Sequence, residues 1–281
     1  MDDEKPFAEW IGRKSESVDF VTERLVASFR AIFEPHLALV PEDTAPLGIH
    51  WCLSPPIAPM SELGPDGHPA KNRDLPPVPQ PRRMWAGGTL ETLAPLRIGD
   101  QVRRVSTIAG VTRKEGRSGE LWFVAVDHEY LTDRGPAIRE RQDIVYREAT
   151  GSAARQKAKE GERPERPVTH RWAVQTTPTL LFRYSAITFN GHRIHYDQPY
   201  ATQVEGYEGL VVHGPLQATL LLNLAGSRGH TPRRFSYRGL APAFAETPLS
   251  VCMGRDGDEA LLWTENPAGR IHMEARVAET E

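Results

Sequence analysis

The segment Gly214-Pro215-Leu216-Gln217-Ala218-Thr219-Leu220-Leu221-Leu222-Asn223-Leu224 constrains the fold more than any other part of this chain. Proline is preset for the first turn of a helix, so Gly-Pro reads as the point where a loop becomes one. The run from Leu216 to Leu224 is apolar around nearly the whole circumference rather than along one stripe, so the helix must be covered on most sides. Segments that could cover it come next. Phe235–Leu240, Leu249–Met253, Ala260–Thr264 and Ile271–Val277 are short and rich in strand-forming residues. Ahead of the helix, Arg171–Gln175 reads as a strand, and Thr177-Pro178 as a second helix start with threonine as cap.

The first half has the same order of elements. Val21, Leu25, Phe29 and Ile32 recur at helical spacing, which predicts an amphipathic helix of about four turns with Ser17 or Asp19 available as cap. Gln101–Ala109, Leu121–Leu131 and Ala137–Glu148 read as strands, with hairpin turns at 114–119 and 133–135. Each half is therefore helix first, then antiparallel strands. The expected class is α+β, with an antiparallel sheet wrapped around one buried helix, twice. The halves share no obvious sequence repeat. Residues 150–167 are small, charged and proline-tailed, as a linker is. That sets expected units at 1–149 and 168–281. Residues 41–81 hold 11 of the 24 prolines and should be irregular, either a surface wrap or a lid near a site.

Composition narrows the function. A formal net charge of −3 over 281 residues gives no electrostatic case for nucleic acid. No run of about 18 apolar residues predicts a membrane span, and the acidic start Met-Asp-Asp-Glu-Lys lacks the apolar region of a signal peptide. Cys52 and Cys252 form neither a disulfide framework nor a zinc cluster, so a reducing cytoplasm is the expected location.

The polar residues worth attention cluster at Phe189-Asn190-Gly191-His192-Arg193-Ile194-His195-Tyr196-Asp197. His195 can exchange protons near neutrality. Asn190 lies close enough for a tight loop to bring both side chains to one water, and it can fix that water without acting as acid or base. Gly214 opens the apolar helix, whose first backbone N–H groups have no intrahelical acceptor and favour negative charge. Together these supply what addition to an activated thioester needs, a water-handling base and a donor for a developing oxyanion. Arg83 and Trp85, in Arg82-Arg83-Met84-Trp85-Ala86-Gly87-Gly88, are candidate substrate contacts, with glycines that permit close backbone approach. Arg193 is a second candidate cation. His213 either contacts ligand or closes the loop. His192, His195 and Asp197 could be metal ligands, but the His-x-x-His spacing lacks the glutamate of stronger motifs, so no metal and no cofactor are expected. P-loop, dinucleotide and Gly-x-Ser-x-Gly motifs are absent.

On these residues the stretch Arg171–Leu224 resembles the MaoC-like hydratase/dehydratase superfamily of hot-dog proteins. Arg193-Ile194-His195-Tyr196-Asp197 matches the second half of its loop motif, Asp-x-Asn-Pro-x-His-x-Asp, and Val212-His213-Gly214 its helix start. Arg82–Gly88 and Pro95–Asp100 look like the dehydratase domain that accompanies it, so the resemblance spans nearly the whole chain as a double hot dog. One departure matters: Asn190 stands where the superfamily usually has a catalytic aspartate. The Phe-Asn-x-His-Arg-Ile-His-Tyr version resembles the branch of 3-hydroxyacyl-thioester dehydratases of mitochondrial type, mesaconyl-C4-CoA hydratases and itaconyl-CoA hydratases. The resemblance implies reversible hydration of an enoyl-CoA, with a five-carbon dicarboxylic ester as preferred substrate and the acyl-CoA as sole small-molecule partner. Rival readings are a dehydratase acting on carrier-protein thioesters, a hot-dog thioesterase, and a non-catalytic acyl-CoA-binding protein. Two hot-dog units in one chain satisfy the usual pairing, and further association into a homodimer is left open.

Overall fold

In the computed structural model, which describes residues 6–116, 119–148, 166–230, 233–256 and 259–278, the apolar helix α3 (Gly214–Ser227) has ten consecutive buried residues, Leu216–Ala225. Its three polar members are all satisfied internally, as burial demands. Thr219 donates to the Pro215 carbonyl at 2.8 Å, and Gln217 accepts from Thr264 at 2.7 Å. Asn223 accepts from the Ala38 N–H at 3.1 Å and donates to the Leu47 and Thr219 carbonyls, each at 2.9 Å. Asn223 thus fastens the central helix to the first half of the chain.

The strands form one continuous antiparallel sheet. In chain order they are β1 (Lys14–Phe20), β2 (Arg82–Thr92), β3 (Gln101–Gly116), β4 (Gly119–Thr132) and β5 (Gly135–Arg147). After residues 149–165 come β6 (His170–Val174), β7 (Arg234–Gly239), β8 (Leu249–Asp256), β9 (Glu259–Glu265) and β10 (Ile271–Ala278). Their order across the sheet is β1-β3-β4-β5-β2-β7-β10-β9-β8-β6. The seam between the halves is β2 against β7, from Gly87↔Arg238 to Glu91↔Arg234. A Cβ on Gly87 would stand 2.7 Å from the Tyr237 carbonyl, and one on Gly88 would run into the Arg141 carbonyl and the Tyr237 ring. These two glycines serve strand packing at the seam, not the approach to a ligand for which the sequence left room.

The α+β, double hot-dog reading holds, with adjustments. The first-half helix α1 (Glu23–Phe33) is capped by Thr22, which accepts from the Leu25 N–H, and runs about three turns. Ser17 and Asp19 lie in β1, a strand the sequence reading did not foresee. α1 buries only one face, through Leu25, Val26, Phe29 and Phe33, so it is not the counterpart of α3 in degree of burial. The buried run Ile49, His50, Cys52 and Leu53 helps fill the first half. β2 was also not foreseen as a strand. Most of the expected linker 150–167 lies outside the described residues, as does part of the turn at 114–119. The turn at 133–135 is present, with Gly135 at φ +108°.

Candidate active site

Helix α2 (Pro178–Ile187), capped by Thr177 as its sequence predicts, delivers the chain to the polar loop. Phe189 takes a left-handed conformation (φ +49°) and reverses the chain there. The Asn190 N–H donates to Ser185 at 2.8 Å, and its side-chain oxygen accepts from the His192 N–H at 2.9 Å. That leaves the amide Nδ2, a donor, to meet a ligand. A short 3-10 turn over Arg193–His195 then buries His195.

His195 Nδ1 lies 2.6 Å from the Val211 carbonyl. A carbonyl only accepts, so Nδ1 carries the hydrogen and Nε2 presents a lone pair. Burial pushes the His195 pKa down to about 3, so the ring is a neutral base at physiological pH. The His213 ring stacks on it at 3.6 Å and 18°. His213 bonds Ser185 Oγ through Nε2 at 2.8 Å and is 1% exposed, outside the lining of the cleft. His213, a candidate substrate contact by sequence, thus lies behind the His195 ring.

A cleft of about 1240 Å³ is lined by Asn190, His195, Gly214, Trp85, Arg83 and His68 among others. Gly214 is the first residue of α3, so its N–H has no intrahelical acceptor. A Cβ there would lie 2.6 Å from Trp85 Cε3, so the indole fits against the helix start only because the residue is glycine. Trp85 in turn stacks on Tyr237 at 4.4 Å. The charge of Arg83 acts on Tyr146, His68 and His192.

Arg193, the other candidate cation, is engaged by the protein itself. It is absent from the cleft lining and is held by Asp197 Oδ2 at 2.7 and 2.9 Å, donates to the Pro65 carbonyl at 3.0 Å, and stacks over Tyr200 at 4.1 Å. The Arg193 guanidinium holds the Asp197 carboxyl below its ordinary range, and Asp197 also accepts from the Tyr200 N–H. Arg193 accordingly fastens the proline-rich segment over the loop, helped by its own N–H donating to the Asp66 carbonyl at 2.9 Å.

That segment supplies residues the sequence reading passed over. Gly67 (φ +85°) approaches the Gly191 carbonyl so closely that a Cβ has no room. His68 Nδ1 lies 3.0 Å from Asp66 Oδ2, and its ring packs on His192 at 4.1 Å. Burial, and then the charge of Arg83, push His68 down to about 4. The Asp-Gly-His turn was the available signal, with Asp66 Oδ1 accepting from the His68 N–H at 3.1 Å. Among the described residues, Asp66, His68 and His192 are grouped closely enough to hold an ion, in place of the trio His192, His195 and Asp197. The neighbouring guanidinium of Arg83 opposes a cation there.

Residues 48–245 match the family model of hydroxyacyl-thioester dehydratase type 2. The chain belongs to that family. A mesaconyl-C(4)-CoA hydratase of Chloroflexus aurantiacus is 41% identical over 95% of this chain and 96% of its own length. In fold, a MaoC-like dehydratase from Phytophthora capsici superposes with a TM-score of 0.69 at 15% identity, covering 97% of this chain and 96% of the other. A Mycobacterium tuberculosis protein described as a double hot dog gives 0.58 at 12% identity, covering 95% of each chain. Like the rest of the MaoC-like hot-dog dehydratases, this hydroxyacyl-thioester dehydratase type 2 member is a hydro-lyase acting on enoyl or hydroxyacyl thioesters. No helix among its described residues is long and apolar enough to cross a membrane.

Proposed function

We propose that this hydro-lyase hydrates a five-carbon dicarboxylic enoyl-CoA, mesaconyl-C4-CoA or itaconyl-CoA, to citramalyl-CoA. The observation that carries the reading is the 41% identity, nearly end to end, with a mesaconyl-C(4)-CoA hydratase. The presence of Arg83 in the same cleft as the loop residues supports it, because a distal carboxylate needs a cation. Asn190 Nδ2 donates to the water oxygen, and His195 Nε2 accepts one of its hydrogens. As the oxygen adds to the β-carbon, that proton passes to Nε2. Charge gathers on the thioester oxygen, facing the Gly214 N–H at the start of α3. One preorganised donor of this kind contributes about 3 kcal/mol to the barrier.

The α-carbon then needs a proton. Asn190 has none to give, and Asp197 is an ionised acceptor held by Arg193. The imidazolium of His195 returns the proton it took, which restores the neutral base and balances the addition. The family model favours a second use of the same chemistry, dehydration of a plain 3-hydroxyacyl thioester. Loss of enoyl-thioester absorbance with mesaconyl-C4-CoA, itaconyl-CoA and crotonyl-CoA separates the two. We expect rapid loss on a dicarboxylic ester, abolished in His195→Ala. In Arg83→Ala the dicarboxylic rate should fall toward the crotonyl rate. A wild-type preference for crotonyl-CoA, or an unchanged ratio in Arg83→Ala, refutes the dicarboxylic assignment.

A further inference from the structure

One buried acid takes no part in this scheme. Glu140, on β5, has a side chain with 0% exposure. Its carboxylate accepts from Trp51 Nε1 at 2.7 Å, Gln142 Nε2 at 3.0 Å, the Tyr130 hydroxyl at 3.2 Å and the Tyr237 hydroxyl at 3.3 Å. His50 Nε2 stands 3.9 Å away. A buried ionisable group is a poor device for stability alone, since a well-packed apolar replacement is often neutral or better. What it supplies is direction: each donor must point at it, which fixes the rings that carry them.

Those rings lead to the cleft. Trp51 stands edge-on to Trp85 (5.9 Å, 88°) and to Tyr237 (6.2 Å, 89°), while Trp85 and Tyr237 stack at 4.4 Å and 19°. Trp85 is thus held between two rings that Glu140 orients, and its Cε3 occupies the space a Gly214 side chain would need. Trp51 comes from the segment before β2, Trp85 from β2 and Tyr237 from β7, so the arrangement straddles the seam between the halves.

We propose that Glu140 is a positioning residue for the hydration step: through Trp51 and Tyr237 it fixes the Trp85 indole against the start of α3, and so the reacting thioester relative to the Gly214 N–H. The proposal rests on the reading of Gly214 as the oxyanion donor. A loss of alignment at that donor reduces kcat while leaving the affinity of the remote CoA portion alone.

The test is steady-state hydration of mesaconyl-C4-CoA and crotonyl-CoA by the full-length protein. Glu140→Gln keeps the volume but turns an amide N–H₂ toward the converging donors. It should reduce kcat about 10- to 100-fold, the scale expected of a small misplacement, with little change in KM. Trp85→Phe should do the same, and the double variant should be no worse than the poorer single, because both act through one ring. Tyr237→Phe, which removes one donor and keeps the ring, should show a smaller loss of kcat and serves if Glu140→Gln does not fold. Val124→Ala, in a separate apolar cluster with Trp10 and Val78, should reduce the melting temperature and leave kcat alone. Wild-type kcat in Glu140→Gln and Tyr237→Phe, or additive losses in the double variant, overturns the proposal while the hydratase reading stands. A wild-type protein that turns over neither ester overturns both.

Discussion

At the scale of single residues, the site depends on burial keeping histidine neutral. His195 has its Nδ1 hydrogen committed to Val211 and its pKa pushed down to about 3. As the proposed base it is therefore competent through neutral and mildly acidic pH. The acid limb of kcat/KM should show no inflection near the ordinary histidine value of 6.5 and should fall only as pH approaches 3, where protonation removes the lone pair. Stopped-flow hydration in pH jumps would read this before acid unfolding intervenes, and an inflection near 6.5 would contradict the buried-base geometry. Gly214→Ala introduces a methyl that cannot coexist with Trp85 Cε3 at 2.6 Å. With the donor or the indole displaced, kcat should drop on the order of 100-fold with a small change in melting temperature.

Among the elements, the proline-rich segment has the clearest consequences. It is pinned to the polar loop by Arg193, which bonds Pro65 and Asp197, and by the close approach of Gly67 to Gly191. Arg193→Ala should therefore weaken activity on dicarboxylic and plain enoyl-CoA esters alike, whereas Arg83→Ala should change the ratio between them. Parallel kinetics on the two variants distinguish a fastener from a substrate contact. Gly67→Ala, strained by φ +85° and blocked by the Gly191 carbonyl, should lift the segment and raise KM for both ester classes. At the ends of helices the effects are ordinary: Thr22→Ala and Thr177→Ala each remove a side-chain cap and should cost about 1 kcal/mol of stability by denaturant titration.

Over the whole molecule, the core and the sheet join both ends of the chain. One apolar cluster takes in Phe29 and Leu90 from the first half with Leu216 and Phe235 from the second, and β2 pairs with β7 across the seam. If the units 1–149 and 168–281 are joined by a linker, as we propose, a protease site placed at 155–160 should yield two fragments that stay associated and active after cleavage. Size-exclusion chromatography and turnover would check this. The buried histidines make stability depend on pH. His50, His128 and His195 are each pushed down to about 3, and His68 and His272 to about 4, burial being the leading cause in every case. The unfolded chain takes up protons near pH 6.5 that the folded one refuses. Stability is thus fully present above pH 6.5 and declines as pH falls toward 4. Denaturant melts across that window should show the slope.

The sequence by itself determined the elements whose signals are local. The apolar circumference of α3, the Thr-Pro start of α2 and the strand runs after Gln101 depend on periodicity and caps, which a chain carries within a few residues. It also placed Asn190, His195 and Gly214 together as candidates, since two lie in one tight loop and the third opens the central helix. Tertiary structure alone decided the rest. β1 and β2 are strands because they have partners, Gln101–Thr107 for one and β5 and β7 for the other, and an irregular composition does not announce a partner distant in sequence. Arg193 and Arg83 are the same residue type on polar segments, yet one is held by a carboxylate four residues away and the other faces the cleft. His68 reaches the cleft from 127 residues before His195 on a folded-back segment, and Glu140, 55 residues before it, is set among the rings behind the cleft by the sheet register. Such meetings are set by long-range packing, and no spacing within the sequence encodes them.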